Sequence, residues 1–300
     1  MTTPAEVLAE LPTIVGRHWG LSVKSTEAVH GGMNSVTAVL EAQTRRVVAK
    51  WVPQSGVPDL IRGAEVALAM SSHGIRAGRP VRTIDGRLSA ALLDGALVIL
   101  EEVSGEPLGG GDTDLWQWGQ TLGRVHSVAT WLQSGEFFPW LREHGTDPAR
   151  EGWVQRVVEE VLSEYDELPP ITWAQLHTDP EPEAFRRDER GDIGVIDWAG
   201  SAPGPVLYDL ASALMYAGSD GAASRVLAGY ESVGVLPELE LRAHLATFKR
   251  FRAAVQAVYF SKRLHDADLT GITGQAENRQ GLRDARALLY AAGISVSDES

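Results

Sequence analysis

The sequence predicts an α+β protein in which strands dominate the first third of the chain and helices dominate the remainder. Short runs rich in β-branched residues, separated by turns with glycine or proline, recur up to about residue 104. Beyond that point, apolar residues recur at helical spacing over long segments. A glycine- and proline-containing junction at residues 104–107 separates the two regions. We therefore predict a small N-terminal lobe over 1–104 and a larger helical lobe over 105–300.

The first region is expected to hold five strands and one helix. The turn at 30–35 contains two glycines and an asparagine, which accept positive φ. A helix is predicted over 60–73 because apolar residues recur at helical spacing and Gly74 follows as a stop. The predicted strands are 22–29, 36–41, 46–52, 87–93 and 96–103.

The second region is expected to be helical apart from one β-hairpin. Segments 183–187 and 192–198 flank the turn sequence Asp-Glu-Arg-Gly, which is typical of a hairpin. The predicted helices are 113–133, 153–168, 206–216, 222–232, 239–264 and 275–292.

Composition restricts the possible partners. The net charge of −13 argues against nucleic acid, because neutralising phosphates needs clustered Lys and Arg. The same charge suits a cationic small molecule, although an acid excess can also serve solubility alone. No apolar run reaches the ~18 residues that a membrane-spanning helix needs, and the first residues lack a signal pattern. The chain has no cysteine, which excludes disulfides and thiolate metal sites. A cytoplasmic protein is expected.

Lys50 lies inside an otherwise apolar predicted strand. A lysine there either faces solvent from an exposed strand or has a partner, because an unpaired buried ammonium is costly. Glu65 follows on the predicted helix. A strand lysine paired with a helix glutamate can hold the α- and β-phosphates of a nucleotide.

Two aspartates bracket the predicted hairpin. Asp179 follows Leu-His-Thr, and Asp197 lies within Val-Ile-Asp-Trp. One carboxylate can orient and deprotonate an attacking hydroxyl, while the other can hold Mg²⁺ against phosphates. Taken singly, each aspartate could be a turn residue. Their occurrence together with Lys50 and Glu65, in this order, favours the catalytic interpretation.

This arrangement resembles the aminoglycoside phosphotransferase family, within the wider protein-kinase-like fold. Leu176-His177-Thr178-Asp179 resembles the family's His-Gly-Asp catalytic loop, and Ile196-Asp197-Trp198 resembles its metal-binding segment. Residues 98–105 resemble its interlobe hinge. Residues 122–126 resemble its long C-lobe helix, in which His126 is a structural residue, and residues 204–211 resemble the segment with a structural Asp209.

The resemblance implies a bilobal kinase-like fold that uses ATP or GTP as co-substrate and Mg²⁺ as cofactor. It implies that Asp179 is the catalytic base, with His177 supporting its loop, and that Asp197 binds the metal. The remaining implied contacts are with the nucleotide, which is expected between the lobes. They involve Lys50 and Glu65 at the phosphates, the turn residues Gly31, Gly32, Asn34 and Ser35, and the hinge residues Glu101 and Val103.

The sequence departs from the family at three points. Thr178 stands where the family has glycine, and the turn at 31–35 lacks a full G-x-G-x-x-G. Ala184 stands where the family has a metal-binding asparagine. Glu181 or Glu183 could supply the missing oxygen, since Mg²⁺ accepts carboxylates, and we favour the adjacent Glu183. Alternatively, the protein is a pseudokinase that binds ligand without turnover.

We therefore expect a small-molecule O-phosphotransferase. The implied acceptor is a hydroxylated and cationic molecule, such as an aminoglycoside, another antibiotic or an amino sugar, which would make the protein a resistance enzyme. Two alternatives stay open. One is a metabolite kinase acting on choline, homoserine or a sugar, and the other is a pseudokinase-like binding or regulatory protein. The sequence does not predict the oligomeric state.

Overall fold

A computed structural model describes residues 2–29, 35–43, 45–147, 151–269 and 272–294. Its helices are α1 (Pro4–Trp19), α2 (Val57–Ser72), α3 (Asp112–His126), α4 (Pro139–Gly145), α5 (Gly152–Asp166), α6 (Val206–Tyr216), α7 (Asp220–Glu231), α8 (Glu238–His265) and α9 (Gln275–Ala291). Its strands are β1 (Val23–Val29), β2 (Val36–Ala42), β3 (Arg46–Pro53), β4 (Pro80–Val81), β5 (Ser89–Leu92), β6 (Gly95–Glu101), β7 (Glu106–Pro107), β8 (Thr130–Gln133), β9 (Ile171–Leu176), β10 (Phe185–Arg187), β11 (Ile193–Val195) and β12 (Ala202–Pro205).

The chain divides into two compact units. The first comprises Met1–Leu108 and Pro182–Ser201, and the second comprises Gly109–Glu181 and Ala202–Ser300. The first unit is rich in strands and the second is mainly helical, so the α+β class is confirmed. The predicted lobes, 1–104 and 105–300, stay a prediction. The predicted hairpin packs with the first unit, although it lies far along the chain from the main sheet.

The first unit is built on an antiparallel sheet with the order β1-β2-β3-β6-β4, in which β5 also pairs with β6. Successive side chains of a strand point to opposite faces. Residues 47, 49 and 51 of β3 pack in one core cluster with α1. Val52 packs in a second cluster with α2 residues, so Lys50 shares the α2 face of the sheet. The sheet has one strand more than predicted, because β4 is only two residues long and begins with proline.

The helix α1 was not predicted, since the first region was expected to hold one helix. Thr3 is its N-cap, and its side chain accepts a hydrogen bond from the Glu6 backbone N–H. The Glu6 carboxylate accepts one from the Thr3 backbone N–H at 2.7 Å, which completes a capping box. The buried residues recur at helical spacing, at Val7, Leu11, Val15 and Trp19. The capping box and this apolar spacing are both legible in the sequence, so α1 was predictable from local signals.

The predicted hairpin is confirmed, with strands shorter than expected. Strands β10 and β11 pair antiparallel with Phe185 opposite Val195, and β7 pairs with the other edge of β10. Beyond the ladder, the Ile196 N–H donates to the Ala184 carbonyl oxygen at 2.9 Å. Glu183 and Asp197 are the chain neighbours of the two residues joined by this contact.

The second unit contains α3–α9 and a small sheet with the order β12-β9-β8. The predicted helix over 113–133 is wrong beyond His126, where α3 ends and β8 follows. Thr130 and Trp131 favour strands, and Trp131 pairs with Trp173 of β9. The helices α6, α8 and α9 agree with the prediction within one residue at each end. Among the described residues, no helix combines the length and apolarity needed to cross a bilayer.

Candidate active site

The first unit brings together two of the predicted site residues, Lys50 and Asp197. The Lys50 Nζ lies 2.6 Å from the Asp197 Oδ1. The lysine side chain is 15% exposed and the aspartate side chain 61% exposed. The ammonium on the α2 face of the sheet therefore has a carboxylate partner that itself remains open to solvent and ligands. This contact could not be derived from the sequence, because Lys50 lies on a strand of the main sheet and Asp197 lies in the turn after β11, 147 residues further along the chain.

The structure does not bring Glu65 to Lys50. Glu65 is exposed on α2, and the described residues contain no ion pair between them. Gly63 explains the geometry, because a Cβ there would lie 2.8 Å from the Trp198 carbonyl oxygen. The α2 face that contacts the Asp197 segment is thus the face of Gly63. Glu65 is two residues further on, rotated by about 200° around the helix axis, and it points away from that segment.

Asp197 adopts a left-handed backbone conformation, with φ 68° and ψ 61°, at the start of a 3₁₀ turn over Trp198–Gly200. Aspartate tolerates this conformation better than most residues. The turn is held by the Trp198 indole N–H, which donates to the Val195 carbonyl oxygen at 3.1 Å. The close packing of α2 on the same turn fixes the segment from its other side.

One residue at the predicted metal position, Ala184, has no side-chain atom that could bind a metal. Ala184 presents a buried methyl group, which cannot bind a metal. Glu183 is exposed and directly precedes Ala184, whose carbonyl oxygen accepts from the Ile196 N–H at 2.9 Å. Glu183 and Asp197 are therefore the chain neighbours of the two residues in this backbone contact. Among the described residues, no group of three or more His, Asp or Glu side chains is arranged to hold a metal ion.

The predicted nucleotide contacts are only partly described. Gly31, Gly32 and Asn34 lie outside the described residues. Ser35 is half-buried just before β2, and its Oγ lies 3.4 Å from the Thr37 Oγ1.

The predicted hinge residues lie at the end of β6 and just beyond it. Glu101 is the last residue of β6 and is exposed. Val103 is half-buried against Gly194 of β11, where a Cβ would lie 2.4 Å from the Val103 Cγ1. This close approach joins the hinge segment to the hairpin within the first unit.

The predicted catalytic loop follows β9 in the second unit. Thr178 has φ 75°, in the left-handed region that favours glycine. A β-branched threonine in this conformation is strained by about 1–3 kcal/mol.

Asp209 holds this loop in its strained form. It is fully buried, and its Oδ2 accepts from the His177 N–H at 2.7 Å while its Oδ1 accepts from the Thr178 N–H at 2.9 Å. The His126 Nε2 lies 3.1 Å from Oδ2, and its Nδ1 lies 2.8 Å from the Tyr230 hydroxyl oxygen. Burial raises the pKa of Tyr230 well above its ordinary value, and the Asp209 carboxylate adds to the shift. The phenol therefore keeps its proton and can donate it to His126.

The Asp179 carboxylate is 61% exposed but is held from one side. Its Oδ1 accepts a hydrogen bond from the Tyr216 hydroxyl at the end of α6. The Arg252 Nη2, from α8, lies 3.7 Å from the same oxygen. Burial raises the pKa of the Tyr216 hydroxyl; the Arg252 charge opposes that shift, and the Asp179 carboxylate reinforces it. Tyr216 is therefore a permanent hydrogen-bond donor to Asp179.

Four contacting residues escaped the sequence analysis: Tyr216, Arg252, Tyr230 and Trp118. The Trp118 indole N–H donates to the Pro180 carbonyl oxygen at 3.1 Å, which ties α3 to the residue after Asp179. Each lies within a helix that the sequence predicts from apolar periodicity. Their polar atoms meet the catalytic loop only through tertiary packing, so helical periodicity alone could not distinguish them from core residues.

Three solved structures with a similar fold are named as kinases or phosphotransferases of small molecules. A spectinomycin phosphotransferase, solved with ADP and spectinomycin, is 12% identical, with 95% of this chain and 98% of that chain covered and a TM-score of 0.70. Amicoumacin kinase, solved with AMP-PNP and Ca²⁺, is 16% identical and has a TM-score of 0.72, and the match covers 97% of this chain and 95% of the kinase. A choline kinase from Streptococcus pneumoniae is 17% identical and has a TM-score of 0.68, and the match covers 94% of this chain and 98% of the choline kinase.

The distant structures show the fold, and comparison of the sequence with known sequences identifies the family. No curated protein matches the chain. The sequence model of the phosphotransferase enzyme family, however, matches residues 25–242. This range contains Lys50, Asp179 and Asp197, together with the Asp209 network behind the predicted catalytic loop. The protein is a kinase, and it belongs to the phosphotransferase enzyme family.

Proposed function

We propose that this kinase transfers the γ-phosphoryl group of ATP or GTP to a hydroxyl group of a small, cationic acceptor. The observation that carries the proposal is the family match over 25–242, because the matched range includes Lys50, Asp179 and Asp197. The carboxylates of Asp179 and Asp197 are exposed, and the Lys50 ammonium is paired with Asp197. The proposed acceptor is an aminoglycoside, another antibiotic or an amino sugar. The net charge of −13 supports a cationic acceptor, since an acidic surface concentrates positive ligands.

Each residue has a chemical role in this proposal. Asp179 accepts the proton of the acceptor hydroxyl and orients its oxygen for attack. Lys50 binds the α- and β-phosphates, which requires its ammonium to exchange part of its contact with Asp197 for phosphate oxygens. His177, at 2% exposure, is buried too deeply to meet a ligand and supports the loop. Most of the rate enhancement would come from positioning and charge neutralisation.

The carboxylates of Asp197 and Glu183 fit a Mg²⁺ ion. Magnesium is usually held by one or two carboxylates together with phosphate oxygens and water, so a sparse protein donor set is sufficient. The solvent exposure of both carboxylates leaves room for such ligands. When bound, the ion would neutralise charge on the β- and γ-phosphates. Glu183 would take over the role that Ala184 cannot fill.

A product screen tests the proposal. The protein is incubated with ATP or GTP, Mg²⁺ and a panel of aminoglycosides, other antibiotics, choline, homoserine and sugars, and the mass increase of one phosphoryl group is read for each acceptor. We expect transfer to at least one cationic acceptor and its loss in Asp179→Asn. Nucleotide binding without any product across the panel would instead favour a ligand-binding pseudokinase.

A metabolite kinase is the second candidate. One structure with this fold is a choline kinase, and choline is a small hydroxylated cation. The same fold therefore accommodates acceptors from antibiotics to metabolites at similar TM-scores. The two candidates differ only in which member of the panel gains a phosphoryl group, so the same screen separates them.

A further inference from the structure

The Asp179 carboxylate is anchored by a tyrosine and an arginine on two different helices. The Tyr216 hydroxyl donates to the Asp179 Oδ1. The Arg252 Nη2 donates to the Tyr216 hydroxyl oxygen at 3.0 Å and lies 3.7 Å from the same Oδ1. Both contacts fall on one carboxylate oxygen. Among the described residues of the second unit, none forms a hydrogen bond with the Asp179 Oδ2.

Arg252 is itself held rigidly. Its Nε donates to the Ser212 Oγ at 3.1 Å, and its Nη1 donates to the Gln256 Oε1 at 3.0 Å. The guanidinium also lies 5.6 Å from the centre of the Tyr216 ring. Arg252 is only 8% exposed, and Asp179 is the one carboxylate with which it forms an ion pair in the described part of the chain. A buried guanidinium needs such a counter-charge.

The direction of the hydrogen bonds follows from the chemistry of these groups. A guanidinium can only donate, so it occupies a lone pair of the Tyr216 oxygen. The single phenolic proton is then directed to the Asp179 carboxylate, which can only accept while it is ionised. The order Arg252 to Tyr216 to Asp179 is therefore the arrangement that satisfies all three groups.

We propose that Tyr216 and Arg252 are positioning residues that fix the side chain of Asp179 so that its Oδ2 faces the acceptor hydroxyl. The inference rests on the proposed phosphotransferase function. In the step it serves, the acceptor oxygen forms a bond to the γ-phosphorus and the bond from that phosphorus to the β–γ bridging oxygen breaks. The hydroxyl proton moves to Oδ2 and is later released to solvent. A carboxylate free to rotate would present either oxygen at varying distance.

The same helix α8 carries a matched control pair. The Arg263 Nη1 donates to the Tyr259 hydroxyl at 3.0 Å, and its guanidinium lies 5.5 Å from the ring centre. This pair forms its ion pair with Asp268 rather than with Asp179. Tyr259→Phe therefore removes the same hydroxyl from the same kind of arginine–tyrosine contact as Tyr216→Phe, without touching the catalytic loop.

A double-mutant cycle in urea tests the anchoring without any acceptor. The midpoint shift caused by Tyr216→Phe is measured in the natural background and in Asp179→Ala, and the same is done for Tyr259→Phe. We expect the Tyr216→Phe shift to fall by at least half in Asp179→Ala, because its partner is already gone. The Tyr259→Phe shift should be equal in both backgrounds. Equal shifts for Tyr216→Phe would overturn the inference.

Phosphate release from ATP with Mg²⁺, with water as the acceptor, tests the positioning. Misplacing a reacting group by about 1 Å can reduce the rate by about 100-fold, so we expect Tyr216→Phe to lower kcat by at least about 10-fold. KM for ATP should change less than about 2-fold, because the tyrosine contacts no part of the nucleotide in this scheme. Arg252→Lys should retain more activity than Arg252→Met, and Tyr259→Phe should match the natural protein.

These outcomes separate the inference from the function on which it rests. A natural protein that transfers phosphate to neither water nor any acceptor contradicts the proposed function, and the urea cycle still reports on the anchor. A Tyr216→Phe variant that keeps kcat within about 2-fold refutes the positioning role while phosphoryl transfer stands.

Discussion

At the scale of single residues, Thr178 is the clearest conflict between sequence and backbone. A β-branched residue at φ 75° is held there by the hydrogen bond from its N–H to Asp209. We expect Thr178→Gly to raise the free energy of unfolding by up to about 1 kcal/mol, because glycine adopts this conformation without a steric penalty but loses more entropy on folding. Urea denaturation measures the change. A loss of stability would mean that the Thr178 side chain makes contacts worth more than the strain.

Glu183 offers a second prediction at this scale. If its carboxylate completes the Mg²⁺ site, Glu183→Ala should raise the Mg²⁺ concentration for half-maximal turnover about 10-fold or more, as losing a supporting group at a metal site does. The measurement is a Mg²⁺ titration of phosphate transfer. Glu189→Ala, an exposed glutamate on the turn of the same hairpin, is the control and should leave the titration unchanged. An unchanged response in Glu183→Ala would remove this residue from the site.

At the scale of elements, the contact between α2 and the Asp197 turn depends on Gly63. A methyl group there would meet the Trp198 carbonyl oxygen at 2.8 Å and the Ala199 Cα at 2.9 Å, and neither backbone atom can move freely. We expect Gly63→Ala to lower the free energy of unfolding by about 1–3 kcal/mol through overpacking. It should also weaken nucleotide binding, because the turn carries Asp197.

Gly16 provides the matched comparison. It lies exposed on α1, and the nearest atom to a Cβ there is the Leu21 carbonyl oxygen at 3.8 Å. Gly16→Ala should therefore raise the free energy of unfolding by about 0.5–1 kcal/mol through helix propensity alone. Urea denaturation measures both changes in the free energy of unfolding. A decrease for Gly63→Ala together with an increase for Gly16→Ala would confirm the close approach of α2 to the Asp197 turn. The same sign for both would argue against it.

Elements with strong local signals were predictable, and those that depend on tertiary pairing were not. The helices α6, α8 and α9 follow their apolar periodicity closely. The residues of β8 were predicted as the end of a long helix. Its four exposed residues form a strand only because they pair with β9, which no local pattern shows. The pairing of β7 with β10 joins segments distant in sequence, and no local pattern indicates it.

At the scale of the whole molecule, nucleotide binding should stabilise the fold in a metal-dependent way. A ligand present at 100 times its Kd adds about 2.7 kcal/mol to the free energy of unfolding. We expect ATP with Mg²⁺ to raise Tm clearly more than ATP with EDTA, since in the proposed scheme Asp197 would meet the phosphate oxygens only through the cation. Asp197→Asn should remove most of the difference. A Tm that rises equally with and without Mg²⁺ would contradict the assigned role of Asp197.

The order of the functional motifs could be taken from the sequence, but their partners could not. Asp179 and Asp197 lie in short patterns that resemble family motifs, and Lys50 stands out as a lysine inside an apolar predicted strand. The pairing of Lys50 with Asp197 rather than with Glu65 depends on which face of α2 meets the turn. The contacts of Tyr216 and Arg252 with Asp179 depend on how α6 and α8 pack. Such contacts require coordinates.

The position of α1 has a practical consequence for anyone who shortens the chain. Its apolar stripe covers the face of the main sheet formed by residues such as Val47, Trp51, Leu97 and Ile99. Removing residues 2–20 would leave that face open to water while the opposite face stayed covered by α2. Large uncovered apolar surfaces drive self-association. A trimmed protein would therefore be recovered as aggregates from expression, even though every residue discussed for catalysis would still be present.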